Sequence, residues 1–356
     1  MVTQAEAAAY LLRHGLLEPS DVVDRRVAIR DASSRNRNFK VEVEGRTGYL
    51  VKQGLGVEGA MTVAHEAAVY QRLVDLGGRL RSYAPGYHGY DAQEGVLVLE
   101  LVDGGVDLRT HHLREGAFPA TVGEDVGAAL AVFHSETRGA YDGMPAQPPW
   151  VLSVHRPDVS VFRDVSAASI ELIKIVQAEP SMGEALDELR RGWRVDSLVH
   201  HDVKWDNLLV PAGTRGVRLV DWEAAGPGDS AWDLGSALSQ YLSAWLFSIP
   251  VTGAEPPQHF PALASYPLDS MKAALRAGWS SYLRGSPDGL RDREELLHRT
   301  VAYAGARLVQ TAFEASQLVQ QLMSPVVLHL QLAANVLRRP EAAAAQLLEL
   351  DPDGAR

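Results

Sequence analysis

There is no cysteine among the 356 residues. Disulfides, thiolate zinc sites and cysteine nucleophiles are thereby excluded, and an intracellular setting is compatible with that absence. Long apolar runs are missing as well. The most hydrophobic stretch, around Tyr241 to Val251, is broken by Ser243, Ser248 and Pro250, and it falls short of the roughly 18 to 20 residues that a membrane span requires. The N-terminal MVTQAEAAAYLLRHGLLEPSD reads as a short amphipathic helix containing Arg13 and His14, not as a signal peptide. The expected localisation is therefore cytoplasmic, with no membrane partner. Basic charge is in deficit: 34 Lys and Arg stand against 45 Asp and Glu, a formal net charge of -11. Phosphate contacts need a basic surface, so this balance argues against nucleic acid as a partner. A cationic small molecule or a metal-bound anion suits the chain better.

What is present fits an ordinary globular protein, 46% apolar and 22% charged, large enough for one big domain or two lobes. Up to about residue 102 the pattern favours strands: RVAIRDA, FKVEVEG, GYLVKQG and GVLVLELV alternate or run apolar and stop at glycine or charged turns. One helix interrupts them, expected from about Thr62 to Leu76 with a threonine cap and closed by Gly77 and Gly78. After Asp103, Gly104 and Gly105 helical patterns dominate, at roughly Val122 to Glu136, Ser181 to Arg191, Asp233 to Trp245, Ser270 to Leu283 and Asp292 to Leu322. Gaps holding Pro148, Pro157, Pro256, Pro257 and Pro261 read as loops, His111 and His112 as solvated loop residues, and the final DPDGAR as a frayed tail. The expected fold class is α+β, with a sheet-rich N-terminal part, 1–102, and a helical C-terminal part, 103–356.

Within the helical part, HHDVKWDNLLV at 200–210 sets an unusual density of polar groups directly against an apolar run. NLLV at 207–210 and VRLVDW at 217–222, joined by PAGTRG, read as a β-hairpin. Such a hairpin brings Asn207 and Asp221 to one edge. Two oxygen ligands, an amide and a carboxylate, beside a second carboxylate, Asp202, make an Mg²⁺ site with a base next to it. Asp229 and Asp233 are expected to cap the next helix or pin the loop.

His200-x-Asp202-x-x-x-x-Asn207, followed fourteen residues later by Asp221, resembles the paired catalytic and metal-binding motifs of the protein-kinase-like fold. LVDWEAAGPGDSAWDLG is closer to the aminoglycoside phosphotransferase and choline kinase branch, with its Asp-Trp-Glu followed by Gly-Asp-x-x-x-Asp-Leu. The resemblance extends over about 50 to 240. It implies a bilobal fold with an N-terminal antiparallel sheet lobe carrying one key helix and a larger, mainly helical C-terminal lobe. It also implies phosphoryl transfer from ATP, with GTP left open, assisted by Mg²⁺. On that likeness Asp202 is the base, Asn207 and Asp221 hold the metal, and Lys52 of GYLVKQG meets the α/β-phosphates, oriented by Glu66. Lys204 neutralises the transferring phosphate, His200 braces the loop, and the backbone of Glu100 and Val102 in LELVDGG faces the adenine edge.

The glycine-rich loop of protein kinases is missing: DASSRNRNFKVEV has no glycine between Asp31 and Gly45. Ser33, Ser34 and Arg35 offer donors to phosphate in its place. The acceptor is expected in a groove bordered by about 106–120, 150–170 and 235–330. Aromatics between Tyr241 and Tyr282, with Glu255 and Asp269 as the acids there, tilt the reading toward a Ser or Thr of a ribosomally made peptide, whose phosphate a partner lyase then eliminates. The alternatives are a small-molecule kinase acting on an aminoglycoside, choline, a sugar or a related alcohol, and a catalytically inactive nucleotide- or partner-binding module.

Overall fold

Strict alternation in the first hundred residues places every second side chain on one face of a sheet. In the computed structural model, which describes residues 3–33, 36–158, 165–251, 256, 259–286 and 292–354, that sheet follows α1 (Gln4–Arg13) and the one-turn α2 (Pro19–Val23). Its strands are β1 (Val27–Asp31), β2 (Arg37–Val43), β3 (Arg46–Gln53), β4 (Tyr87–Asp91) and β5 (Val96–Glu100), in the spatial order β1-β2-β3-β5-β4 with every neighbour antiparallel. Phe39, Val41, Val43, Tyr49, Val51, Val96 and Val98 form one core with Ala7, Tyr10 and Leu11 of α1. Lys52, next to Val51, therefore points to the other face, where α3 (Gly56–Leu76) packs against β3, β4 and β5.

That helix starts at Gly56, well before the expected Thr62. The Thr62 hydroxyl donates back to the Gly59 carbonyl at 2.9 Å instead of capping, and glycines at 56 and 59 mask the first turns in the sequence. Gly77 ends it at φ +67°, a conformation that glycine adopts without strain.

The chain continues through β6 (Val106–Asp107), α4 (Leu108–Glu115), α5 (Ala120–Glu136), α6 (Ala167–Ala178), α7 (Pro180–Arg191), β7 (Ser197–Val199), β8 (Leu208–Val210), β9 (Arg218–Leu219) and β10 (Gly226–Gly228). Then come α8 (Ser230–Phe247), α9 (Phe260–Leu263), α10 (Lys272–Gly285), α11 (Arg293–Ser316) and α12 (Ser324–Arg338), followed by the short α13 (Pro340–Ala342) and a π-helix (Ala343–Leu348). Two compact units result: Met1–His111 with Asp206–Ala225, and His112–Trp205 with Gly226–Arg356. The first holds the five-stranded sheet and the small antiparallel sheet β6-β8-β9. The second is mainly helical, with β7 and β10 paired antiparallel. This is the expected α+β fold.

Several expectations need correction. The last long helical pattern, expected to run to Leu322, ends as α11 at Ser316, and α12 beyond it was not anticipated. Ser166 caps α6, which proline-rich flanks concealed, by accepting from Ser169 N–H at 3.0 Å. Pro261 sits in the first turn of α9, where its missing N–H costs nothing. His111 and His112 lie on α4, and His112 is buried against Phe118 and Trp205 at ring separations of 4.8 Å. The tail is tied down: Trp279 Nε1 donates to Asp351 O at 2.8 Å and Ser280 Oγ to Gly354 O at 2.7 Å. Among the described residues no helix is long and apolar enough to cross a membrane.

Glycine sets the closest helix approaches in the second unit. A Cβ on Gly123 or Gly127 of α5 would lie 2.1 Å from the Ala274 or Gly278 carbonyl oxygen of α10, and one on Gly235 of α8 would lie 2.6 Å from Thr300 O of α11. Helices α5, α8 and α11 carry His134, Asp233 and Arg307, so these contacts fix where three polar groups sit. Gly127→Ala should destabilise the protein by about 1–3 kcal/mol through overpacking, read as a lowered urea midpoint. An unchanged midpoint would show that the helices separate without cost.

Candidate active site

In the first unit, Lys52 on β3 reaches three carboxylate oxygens. Its Nζ lies 2.9 Å from both Oε1 and Oε2 of Glu66 on α3 and 2.9 Å from Oδ1 of Asp221. Burial alone would push the Lys52 pKa down, but Glu66 and Asp221 outweigh it and the pKa is raised, so the ammonium stays charged. Glu66, 1% exposed, is pushed up by burial against the pull of Lys52, with Asp221 adding repulsion. One cation thus serves two carboxylates. Glu66 is sealed, whereas the Asp221 side chain is 34% exposed.

Asp221 follows the hairpin β8–β9, where Leu208 pairs with Leu219 and Val220 N–H donates to Asn207 O at 3.0 Å. That last bond sets Asn207 and Asp221 at the same end of the hairpin. Asp221 is left-handed at φ +68°, ψ +60°, a strain of order 1–3 kcal/mol for a residue with a Cβ. His65, next to Glu66, donates from Nε2 to Ala225 O at 2.7 Å, so α3 also grips the segment after Asp221. An amide oxygen and an exposed carboxylate are hard donors of the kind Mg²⁺ prefers.

Elsewhere in this unit, Glu100 gives its N–H to Gly86 O at 2.7 Å and accepts from Gly86 N–H through Oε2 at 2.8 Å. The Val102 carbonyl accepts from Gly105 N–H at 3.0 Å. The Ser33 hydroxyl accepts from Asn38 N–H at 3.1 Å, and Ser33 N–H donates to Asp31 Oδ1 at 2.8 Å, which closes the turn before β2. Ser34 and Arg35 lie outside the described residues.

The second unit contains the loop that begins at His200. Asp233 on α8, buried, accepts from His200 N–H at 2.7 Å and His201 N–H at 3.0 Å, and His134 Nε2 stands 3.3 Å from it. Burial would raise the Asp233 pKa, but these donors prevail and hold it below the usual carboxylate range. Trp232 Nε1 donates to His201 O at 3.0 Å, which secures His201 in a left-handed conformation at φ +64°. Trp205 N–H donates to Gln240 Oε1 at 3.2 Å. Asp229 caps α8 by accepting from Ala231 N–H at 3.1 Å. The loop is pinned at both ends.

Between those anchors, Asp202 Oδ2 meets Lys204 Nζ at 2.6 Å, Oδ1 faces Arg307 Nη2 at 3.6 Å, and Asp202 N–H donates to His200 Nδ1 at 3.3 Å. Burial would raise the Asp202 pKa; Lys204 and then Arg307 outweigh it, and the carboxyl is held below its ordinary value. Lys52, Glu66 and Asp221 are thus brought together, with Asn207 on the same hairpin, and so are His200, Asp202 and Lys204. Sequence reasoning missed Arg307. The available signal was a lone arginine inside the apolar run AGARLVQ.

The Phosphotransferase enzyme family model matches residues 28–255, well over half of the chain and every candidate residue from Ser33 to Asp233. The chain belongs to this phosphotransferase family. Among solved structures it is similar to an ethanolamine kinase from Plasmodium vivax, with 13% identity and a TM-score of 0.55, covering 92% of this chain and 87% of that one. A glucosamine kinase in complex with glucosamine, ADP and inorganic phosphate has 16% identity and a TM-score of 0.53, over 98% of this chain and 87% of the other. A choline kinase from Streptococcus pneumoniae has 13% identity and a TM-score of 0.50, over 93% and 99%. At these identities the likeness establishes the protein-kinase-like fold. No curated protein matches the sequence.

The asymmetry between the two carboxylates on Lys52 makes a measurable difference. Glu66→Ala leaves a buried ammonium without its sealed partner and should cost this phosphotransferase roughly 3 kcal/mol, seen in chemical denaturation. A neutral outcome would mean that Asp221 alone suffices to hold Lys52.

Proposed function

We propose that the protein transfers the γ-phosphoryl group of ATP to the hydroxyl of a small-molecule alcohol. The observation that carries this reading is Lys52, held as a cation by Glu66 and Asp221 at 2.9 Å, because a nucleotide kinase needs a fixed positive charge for its phosphates. Membership of the phosphotransferase family supports it, and a glucosamine kinase of like fold is solved with ADP and phosphate. Ethanolamine, choline and glucosamine, the acceptors named for the similar kinases, are all small amino alcohols, and a net charge of -11 favours such cations.

The chemistry divides among few groups. Asp202 accepts the proton of the acceptor hydroxyl as its oxygen bonds to the γ-phosphorus, while the bond from phosphorus to the β,γ-bridging oxygen breaks and ADP leaves. His200 orients the Asp202 backbone. Lys204, on a flexible four-carbon stem and 35% exposed, is the cation that can move from Asp202 to the transferring phosphate. Lys52 meets the α/β-phosphates. Asn207 and Asp221 are the residues that would hold Mg²⁺, which when bound neutralises phosphate charge. The Glu100 carbonyl and the Val102 N–H are the backbone groups for an adenine edge. Ser33 can still donate its hydroxyl proton to a phosphate.

Three of the seven aromatic residues that suggested a peptide-sized acceptor are core and three more are half-buried. Tyr241, Trp279 and Tyr282 are buried, and Phe247 alone of that set is exposed. No observation now favours a peptide Ser or Thr, or a partner lyase, over a small alcohol. An inactive binding module would have no use for the complete set Lys52, Glu66, Asp202, Asn207 and Asp221.

The test is Mg²⁺-dependent release of ADP from ATP with ethanolamine, choline and glucosamine offered in turn, and transfer confined to peptides would overturn the acceptor class. Asp202→Asn should lower kcat by at least about a hundredfold; normal turnover would refute the base. Asp221→Ala should abolish transfer while the melting temperature holds, since Glu66 still neutralises Lys52. A collapse of both together would mark Asp221 as structural.

A further inference from the structure

We infer that Arg307 is a positioning residue for the transfer: its guanidinium fixes the Asp202 carboxylate and keeps it the anion that receives the acceptor's proton. This rests on the reading of Asp202 as the base. Arg307 lies on α11 and is 1% exposed. Its Nη2 is 3.6 Å from Asp202 Oδ1, and its Cζ stands 5.7 Å from the centroid of the Trp232 ring. Nε and Nη1 have no hydrogen-bond partner among the described residues. A guanidinium buried among Ala304, Ala306, Leu308 and Val309 is costly unless something pairs with it. Among the described residues its counter-charge is Asp202, and its Cζ lies over the face of Trp232.

The two cations on Asp202 differ in kind. Lys204 binds the other oxygen, Oδ2, from a side chain 35% exposed, on a flexible stem that is able to swing away. Arg307 is locked by its helix and by Trp232. When Lys204 leaves Asp202 for a phosphate, Arg307 stays on Oδ1 and the carboxylate keeps a counter-ion. His200 Nδ1 accepts from the Asp202 backbone, and behind His200 Asp233 accepts from two backbone N–H groups, with His134 Nε2 3.3 Å away.

The measurement is the side-chain carboxyl resonance of Asp202 in the full-length protein labelled with ¹³C-aspartate, assigned by its loss in Asp202→Asn. In Arg307→Met its titration midpoint should rise by about one pH unit or more, the effect of removing an opposite charge at this range, and Arg307→Lys should recover part of the shift. The acid limb of the kcat/KM profile should move up by the same amount with any acceptor found to be phosphorylated. An unchanged midpoint in folded Arg307→Met overturns the inference. If that variant does not fold, the guanidinium ¹⁵N signals of Arg307 in the unsubstituted protein decide: they should shift with the midpoint of Asp202, and a flat response overturns the pairing. Neither resonance requires an acceptor. Full transfer by Asp202→Asn would therefore remove the base assignment without deciding whether Arg307 holds the carboxylate.

Discussion

A carboxylate shut away from water, Asp233, is the constraint on which the second unit turns. Having lost its hydration, it must be met by donors, and the donors are the backbone N–H groups of His200 and His201 at 2.7 and 3.0 Å. Two consecutive N–H groups can converge on one carboxylate only if the chain bends sharply, and His201 does so at φ +64°. The strain is held by Trp232 on the His201 carbonyl. In that bent loop Asp202 follows immediately, so the orientation of the candidate base is inherited from a buried hydrogen-bond requirement. Glycines also seat the helices that carry these groups: Gly123 and Gly127 set α5, with His134, on α10, and Gly235 sets α8, with Asp233, on α11.

The first unit solves a related problem with the opposite sign. Lys52 is a buried cation, and two carboxylates are more than its charge requires. The surplus is informative. Glu66 uses both oxygens on Lys52 and is sealed, so it anchors the lysine and little else. Asp221 meets Lys52 through Oδ1, keeps a third of its side chain exposed and sits in a left-handed conformation that local sterics disfavour. A group both strained and exposed suits the metal-holding role proposed for Asp221 better than the sealed Glu66 does.

How much of this was legible depends on whether a contact is local. His200, Asp202, Lys204, Asn207 and Asp221 fall within one short stretch whose hairpin fixes their spacing, so a linear motif captures them. Lys52 and Glu66 are one strand and one helix apart, and period-2 alternation already put Lys52 opposite Val51. Arg307 could not be read in this way. Its partner lies far upstream, and the sequence shows only an arginine in an apolar run, which equally describes a residue that snorkels to solvent. His112 was misread for the same reason: beside His111, Arg109 and Arg114 it looks solvated, and only Phe118, Trp205 and Tyr241 make it core. The start of α3 was hidden by glycines whose low propensity is overridden by packing on the sheet.

The charges on Asp202 bear on what kind of base it can be. Two cations lower its affinity for a proton, which makes it a weak base, and a weak base would be a poor choice for stripping a hydroxyl before attack. In a loose phosphoryl-transfer transition state little bond to the nucleophile has formed, the hydroxyl has barely acidified, and its proton leaves late. What the reaction needs early is an acceptor hydroxyl held in line by a hydrogen bond to a carboxylate that is always ionised. On the proposed reading Arg307 supplies that permanence, since it stays on Asp202 when Lys204 moves to a phosphate. The arrangement trades basicity for orientation, a trade that suits phosphoryl transfer and would disable a hydrolase working through a deprotonated nucleophile.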